Sequence, residues 1–238
     1  MNDEEIKLRT LANLSVVIGQ VSIHPLSLKE IIEYGYENYS QALGLLTISK
    51  AQLLASEWLD QIPAEVSSAD LIFYSRNDEL IELLKDSLKL FCRTDNVLYN
   101  NGLYIDNVLF SSDTFRRLTR AVSIQNCVAT AEEQPFTPLN DRVKKLKEKM
   151  DRNKMKIMQL KRNGTSEEGL SLSDLISIVC SGANGITWRN VFDLNMCQFH
   201  DQFIRLKMLD DYKMNVQALL HGADSKQIPL IHWMSKVK

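Results

Sequence analysis

Between Glu132 and Gly169 the chain changes character twice, and this interruption limits what the whole can fold into. Glu132 to Pro138 is the clearest break, because Pro135 and Pro138 end any helix or strand that reaches them. Asp141 to Arg162 then carries ten Lys and Arg against three acidic residues, a local charge of +7. The formal net charge of the chain is -2, so the remainder stands at -9. Val143, Leu146, Met150, Ile157 and Leu160 recur at steps of three and four, with Asn153 at the one polar position. About three heptads is the shortest run that supports a coiled-coil reading. Asn163-Gly164 and the Ser, Glu and Gly residues through Gly169 stop it. The sequence therefore divides into a mixed α/β N-terminal domain (1–135), a basic amphipathic linking helix (139–163) and a helical C-terminal domain (170–238). The fold class expected is α+β, predominantly helical, with a small sheet or hairpin in the first part.

Within the first part, Leu14 to Ile23 alternates β-branched residues with small or polar ones and reads as a strand, ended by His24-Pro25. Ser27 and Glu30 have capping-box spacing ahead of Leu28, Ile31, Ile32 and Tyr36, and Ser49 with Gln52 repeats the device ahead of Leu53, Leu54, Trp58 and Leu59. Asn77 or Asp78 caps a third helix bearing Leu80, Ile81, Leu84, Leu88 and Phe91. The short apolar run Leu71 to Tyr74 suits a buried strand. Val97 to Tyr99 and Leu103 to Ile105 flank Asn100-Asn101-Gly102, a hairpin signal because Asn and Gly tolerate positive φ. A helix from about Asp113 to Ile124 follows.

In the last part, Ser171 with Asp174 begins a helix that ends near Ser181-Gly182, and Thr187 caps the next, which holds Trp188 and Val191. Met196, Phe199, Phe203 and Leu206 form an apolar face. A final helical piece, Val216 to Leu220, meets Gly222. The tail holds Ile228, Pro229, Leu230, His232 and Trp233, and its indole needs something to pack against.

Composition narrows the function classes. Hydrophobic residues make up 45% and charged residues 24% of 238, ordinary for a chain that buries a sizeable core. The near-neutral balance offers no overall attraction to nucleic acid or anionic membrane. No run approaches the roughly 18 apolar residues of a membrane span, and Asp3, Glu4 and Glu5 are wrong for a secretory signal. Cysteines at 92, 127, 180 and 197 have no repeated short spacing and read as reduced thiols in a cytoplasm.

Phosphate-cradling glycine loops and a nucleophile elbow are absent from the sequence. Cys197 and His200, at i,i+3 on a helix, have half the ligands a structural zinc needs, and Cys180 or His221 would have to complete the set. The pair reads as a buried thiol and a partly exposed histidine, with no metal or other cofactor implied. The carboxylate pairs Glu132-Glu133 and Asp210-Asp211 diverge by about 100° on a helix and read as solvated surface. No enzymatic reading stands.

Three readings compete for the basic stripe. It supplies Lys and Arg for phosphate contacts, but without an aromatic residue for base stacking. It is also consistent with a solvated linking helix. As a partner-binding helix it offers an adaptable seam of Met150, Met155, Met158 and Leu160. Phe199, Phe203 and Trp233 are the other candidate contacts, although the Phe199 and Phe203 face is by default core.

Ile23 to Tyr36 (IHPLSLKEIIEYGY) with Leu45 to Lys50 (LLTISK) resembles the opening of a group of tailed-bacteriophage proteins. Val191 to Leu206 (VFDLNMCQFHDQFIRL) and the tail from Val216 to Trp233 are similar to the same group. The group is that of tail assembly chaperones of phages infecting mainly Gram-positive hosts. The resemblance implies a non-enzymatic protein of the host cytoplasm that binds the helical tape-measure protein and helps tail-tube subunits assemble around it. Self-association is compatible with that role. A structural virion component (baseplate or tail-completion protein) and a nucleic-acid-binding regulator using the basic helix are the alternatives. No residue-level contact carries over from the resemblance.

Overall fold

Helix starts follow the side chains that can satisfy free backbone donors. The computed structural model describes residues 1–53, 62–63, 65–100, 102–128, 170–222 and 230–235. Asn2 caps α1 (Asp3–Leu11) by accepting from the Glu5 amide at 2.8 Å. Two strands follow, β1 (Val16–Ile18) and β2 (Val21–Ile23), paired antiparallel with Ile18 opposite Val21. What reads in sequence as one strand is thus two. Gly19, at φ +65°, supplies the positive φ that a two-residue hairpin turn needs. The pleat still alternates, since Val16, Ile18, Val21 and Ile23 are buried while Val17 is exposed.

The Ser27–Glu30 capping box opens α2 (Leu28–Tyr34), as its spacing implies. Helices α3 (Tyr36–Thr47) and α4 (Lys50–Leu53) continue the layer. Leu54, Trp58 and Leu59, expected on α4, lie outside the described residues. The Leu71 to Tyr74 run is not a strand. It belongs to α5 (Ser68–Phe73), because Ser67 and Asp70 form a second capping box that pulls the run into a helical turn. The Asp70 carboxylate also accepts from the Ser112 hydroxyl and pairs with Arg116 at 3.3 Å, tying α5 to a later helix.

Asn77 caps α6 (Asp78–Cys92), whose Leu84, Leu88 and Phe91 are fully buried along one face. Strands β3 (Val97–Tyr99), β4 (Leu103–Ile105) and β5 (Val108–Phe110) form an antiparallel meander. The expected hairpin is present, and a third strand extends it through Asp106 and Asn107, both left-handed as a type I′ turn requires. Ser111 caps α7 (Ser112–Gln125), which buries Phe115, Leu118 and Val122. This helix lies at the centre of the core, against α1, α3, α5 and the β1–β2 hairpin.

Ser171 and Asp174 begin α8 (Leu172–Gly182). Thr187 does not start an α-helix. Its amide donates to the Asn190 carboxamide at 2.7 Å, and a 3₁₀ turn spans Val191–Asp193. Helix α9 (Met196–Leu220) then runs without interruption through Val216 to Leu220, so the separate final piece is part of it. Gly222 does take positive φ just beyond the end, at +92°. The fold is predominantly helical α+β, with a two-stranded and a three-stranded sheet.

Residues 1–130 and 176–238 fall in one compact unit. The segments read as separate N- and C-terminal domains therefore share a core. The break at 132–138 and the 139–163 helix, with Met150, Met155, Met158 and Leu160, lie outside the described residues.

Candidate functional site

The first turn of α9 explains how the C-terminal segment joins that core. Asn195 and Gln198 make the helix's own capping box, with Asn195 Oδ1 accepting from the Gln198 amide at 2.9 Å. The remaining donors of the same two side chains reach the end of α1. Asn195 Nδ2 donates to the Thr10 carbonyl at 2.7 Å, and Gln198 Nε2 donates to the Leu11 carbonyl at 2.9 Å. Both carbonyls end a helix, and that of Thr10 also accepts from the Asn13 amide at 3.0 Å. The Leu28 amide, unpaired at the start of α2, finds the Leu194 carbonyl at 2.8 Å. Three helix termini thus satisfy one another around Asn195, which is fully buried.

Beyond this junction α9 leaves the core. Cys197 and Phe199 are its only buried residues, and from His200 to Leu220 every side chain is at least partly exposed. Phe203, Leu206, Met208, Leu209 and Val216 are half-buried, while Met214 and Leu220 are 60% and 80% exposed. Gly182 of α8 fits closely here, since a Cβ at that position would meet Leu206 at 2.9 Å. The tail folds back onto the same helix. Arg205 Nη1 donates to the Trp233 carbonyl at 3.1 Å and the Ser235 carbonyl at 2.8 Å. The Tyr212 and His232 rings lie 5.0 Å apart, and the indole of Trp233 stacks on His232.

The candidate contact residues consequently divide. Phe199 is 3% exposed and serves the core, which leaves it no surface to offer a partner. Phe203 is half-buried and Trp233 is 37% exposed, both on or against the outer part of α9. The exposed surface of Met214 and Leu220 has no signal in sequence beyond its apolar character.

A second constellation sits at the start of α9 and unites residues that sequence keeps apart. Helix α7 ends in a Schellman motif, with the Val128 amide donating to the Ser123 carbonyl at 2.9 Å and the Cys127 amide to the Ile124 carbonyl at 3.2 Å. Cys127 occupies the left-handed position of this motif, φ +52°, where glycine is the usual residue. The groups that act on its sulfur, Cys197 and His200, both lie on α9. The hydrogen bond from Cys197 and that from His200, aided by the charges of His200 and Lys7, hold the half-buried Cys127 down at about 5. The hydrogen bond to Cys127 raises His200 above the ordinary histidine value and raises Cys197 as well. The lowered Cys127 and the raised His200 are thus shifted towards their charged forms by one another.

The Cys197–His200 pair foreseen in sequence gains Cys127 as its neighbour, rather than Cys180 or His221. Among the described residues no group of three or more His, Cys, Asp or Glu is arranged to hold a metal ion. An open groove beside α2 and α6 gathers charged side chains, but Arg93 is already paired with Glu30 and Lys89 with Asp86. Among the described residues no helix is long and apolar enough to cross a membrane.

Residues 161–238 match the family described as the YomV second domain, derived from Bacillus phage. This part of the chain is similar to a phage-related domain. The match takes in α8, α9 and the tail, and so covers both Asn195 and the outer surface of α9. Neither a curated protein nor a solved structure matches the chain.

Proposed function

We propose that this chain is a non-enzymatic phage tail assembly chaperone that binds the tape-measure protein and assists tail-tube assembly. The observation that carries the reading is the outer part of α9, where a helix of a phage-related domain keeps its apolar residues from Phe203 to Leu220 out of the core. A groove or face of this kind suits an amphipathic helix, which lays its own apolar stripe against it. A tape-measure protein, long and helical, presents such stripes repeatedly. Methionines at 208 and 214 add side chains that adapt to more than one register. The likeness of Val191 to Leu206 to tail assembly chaperones supports the same role.

Co-expression with the tape-measure protein of the same phage tests it. The tape-measure protein is expected to stay soluble and to co-purify with this chain, and Met214→Asp with Leu220→Asp is expected to abolish both. If the tape-measure protein precipitates regardless of this chain, the reading fails. Purified virions supply a second test. A chaperone is absent from them, whereas a stoichiometric copy in the particle makes the chain a baseplate or tail-completion component instead.

A further inference from the structure

We propose that the tail, residues 230–235, is a displaceable cover over the apolar stripe of α9, latched by Arg205, which a helical partner must move aside before it docks. The partner in this statement rests on the chaperone reading, whereas the cover rests on contacts within this chain.

The stripe follows from helix geometry. Arg205, Leu209, Tyr212, Val216 and Leu220 recur at steps of four, three, four and four, and so share one face of α9. Exposure grows along that face. Leu209, Tyr212 and Val216 are half-buried, whereas Leu220 is largely exposed. The tail lies at the half-buried end. Arg205 Nη1 donates to the Trp233 carbonyl at 3.1 Å and to the Ser235 carbonyl at 2.8 Å, and the His232 ring stands 5.0 Å from that of Tyr212. Arg205 and Tyr212 are about two turns apart on the same face, so the two contacts lay the tail along the stripe. Within the tail the Ser235 amide donates to the His232 carbonyl at 2.9 Å and the Met234 amide to His232 Nδ1 at 3.2 Å. Trp233 stacks on the same imidazole, and the segment keeps a folded turn of its own.

The hold is of a kind that yields. A segment that belongs to a core buries its large apolar side chains, but Leu230, Ile231 and Met234 are each more than half exposed. What seats the tail is one guanidinium on two main-chain carbonyls and one pair of rings, at a surface where water competes for the same groups. A helix docking on this face needs its axis about 8–10 Å from that of α9. Groups bonded to Arg205 and set beside Tyr212 fall within the layer that its side chains would fill. Cover and partner therefore exclude one another, and the partner's apparent affinity scales with the fraction of molecules whose tail is away.

The test compares the full chain with Arg205→Ala and His232→Ala, one altered on α9 and the other on the tail. Amide hydrogen exchange, read by mass spectrometry, follows the tail; binding of anilinonaphthalene sulfonate follows the stripe; titration with the tape-measure protein follows the partner. Both variants should speed exchange at Met234 and Ser235 about tenfold, with the helical circular dichroism unchanged. Dye binding should rise several-fold, and Leu209→Ser added to Arg205→Ala should remove most of that gain. Arg205→Lys, which keeps a donor, should fall between the parent chain and Arg205→Ala. Affinity for the tape-measure protein should rise about tenfold in both alanine variants, as expected when the tail is seated in about nine molecules of ten. Unchanged exchange means that these groups do not seat the tail, and unchanged dye binding means that the tail covers no apolar surface; either result overturns the proposal. A tape-measure affinity that stays level or falls in both variants also overturns it, because the tail is then no obstacle to docking. A tape-measure protein that binds neither the parent nor the variants refutes the chaperone reading instead, and exchange and dye binding alone then decide the cover.

Discussion

The two ends of α9 obey different physics within one continuous helix. Its first turn is fully committed: Asn195 is buried, caps its own helix, and completes the backbone hydrogen bonding of α1. Its later turns, from His200 onward, bury no residue completely, although they hold as many large apolar side chains as an ordinary core helix. Apolar content therefore does not decide where a helix is buried. The polar groups at its start do, because an unsatisfied buried donor or acceptor costs more than a half-exposed leucine. The C-terminal segment is anchored by a hydrogen-bonded corner, and the rest of its long helix stays outside the core.

Breaking the anchored end should have the largest effect. Phe199→Ala removes a ring that is 3% exposed and is expected to cost about 3–4 kcal/mol, read as a lower urea midpoint with an unchanged slope. Asn195→Ala strips the cap and removes one of the bonds to the Thr10 carbonyl, so a loss of about 1–2 kcal/mol is expected. If Asn195→Ala unfolds at the same denaturant concentration as the parent chain, the three-terminus junction contributes nothing and the contrast collapses.

A smaller effect attends Asp70, which ties α5 to α7 in the core. Burial raises its carboxyl, but hydrogen bonds from Ser112 and Ser67 and the charge of Arg116 outweigh this and hold it below the ordinary 3.8. A carboxyl lowered by folding stabilises above its unfolded value, and the contribution is lost as pH falls through the lower folded value. Asp70→Asn should therefore lower the urea midpoint at pH 6, by about 1 kcal/mol of stability, and matter progressively less below pH 3.8. A mutational difference that grows on acidification would contradict this sign.

The smallest change is expected at the outer end. Met214→Asp alters a side chain that is 60% exposed, so thermal unfolding should shift by no more than about 0.5 kcal/mol. The same substitution should still weaken retention of the tape-measure protein, which separates surface from scaffold.

Local hydrogen-bonding signals were the most legible part of the sequence. Ser27 with Glu30, Asn77, and Ser171 with Asp174 each announce a helix start, because cap and capped amide lie within three residues of each other. The hairpin around Asn100 and Gly102 is legible for the same reason. Leu71 to Tyr74 misleads because four apolar residues in a row have no period, and the decisive signal is the Ser67–Asp70 box just upstream. Leu14 to Ile23 misleads because β-branched residues on both sides of Gly19 mask the turn between two strands.

The candidate site was far less legible. Cys197 and His200 share one helix face by spacing alone, and that much can be read directly from the sequence. Nothing near Cys127 in the sequence indicates its partners, and its left-handed backbone follows from how α7 ends. The sequence by itself determined where most helices begin and that α9 carries an apolar face. Tertiary structure alone decided that Asn195 reaches the end of α1, that Cys127 neighbours Cys197 and His200, and that α9 is core at one end and surface at the other. The reason is range: caps and turns are settled among neighbours in the chain, whereas these contacts exist only once separate helices have packed.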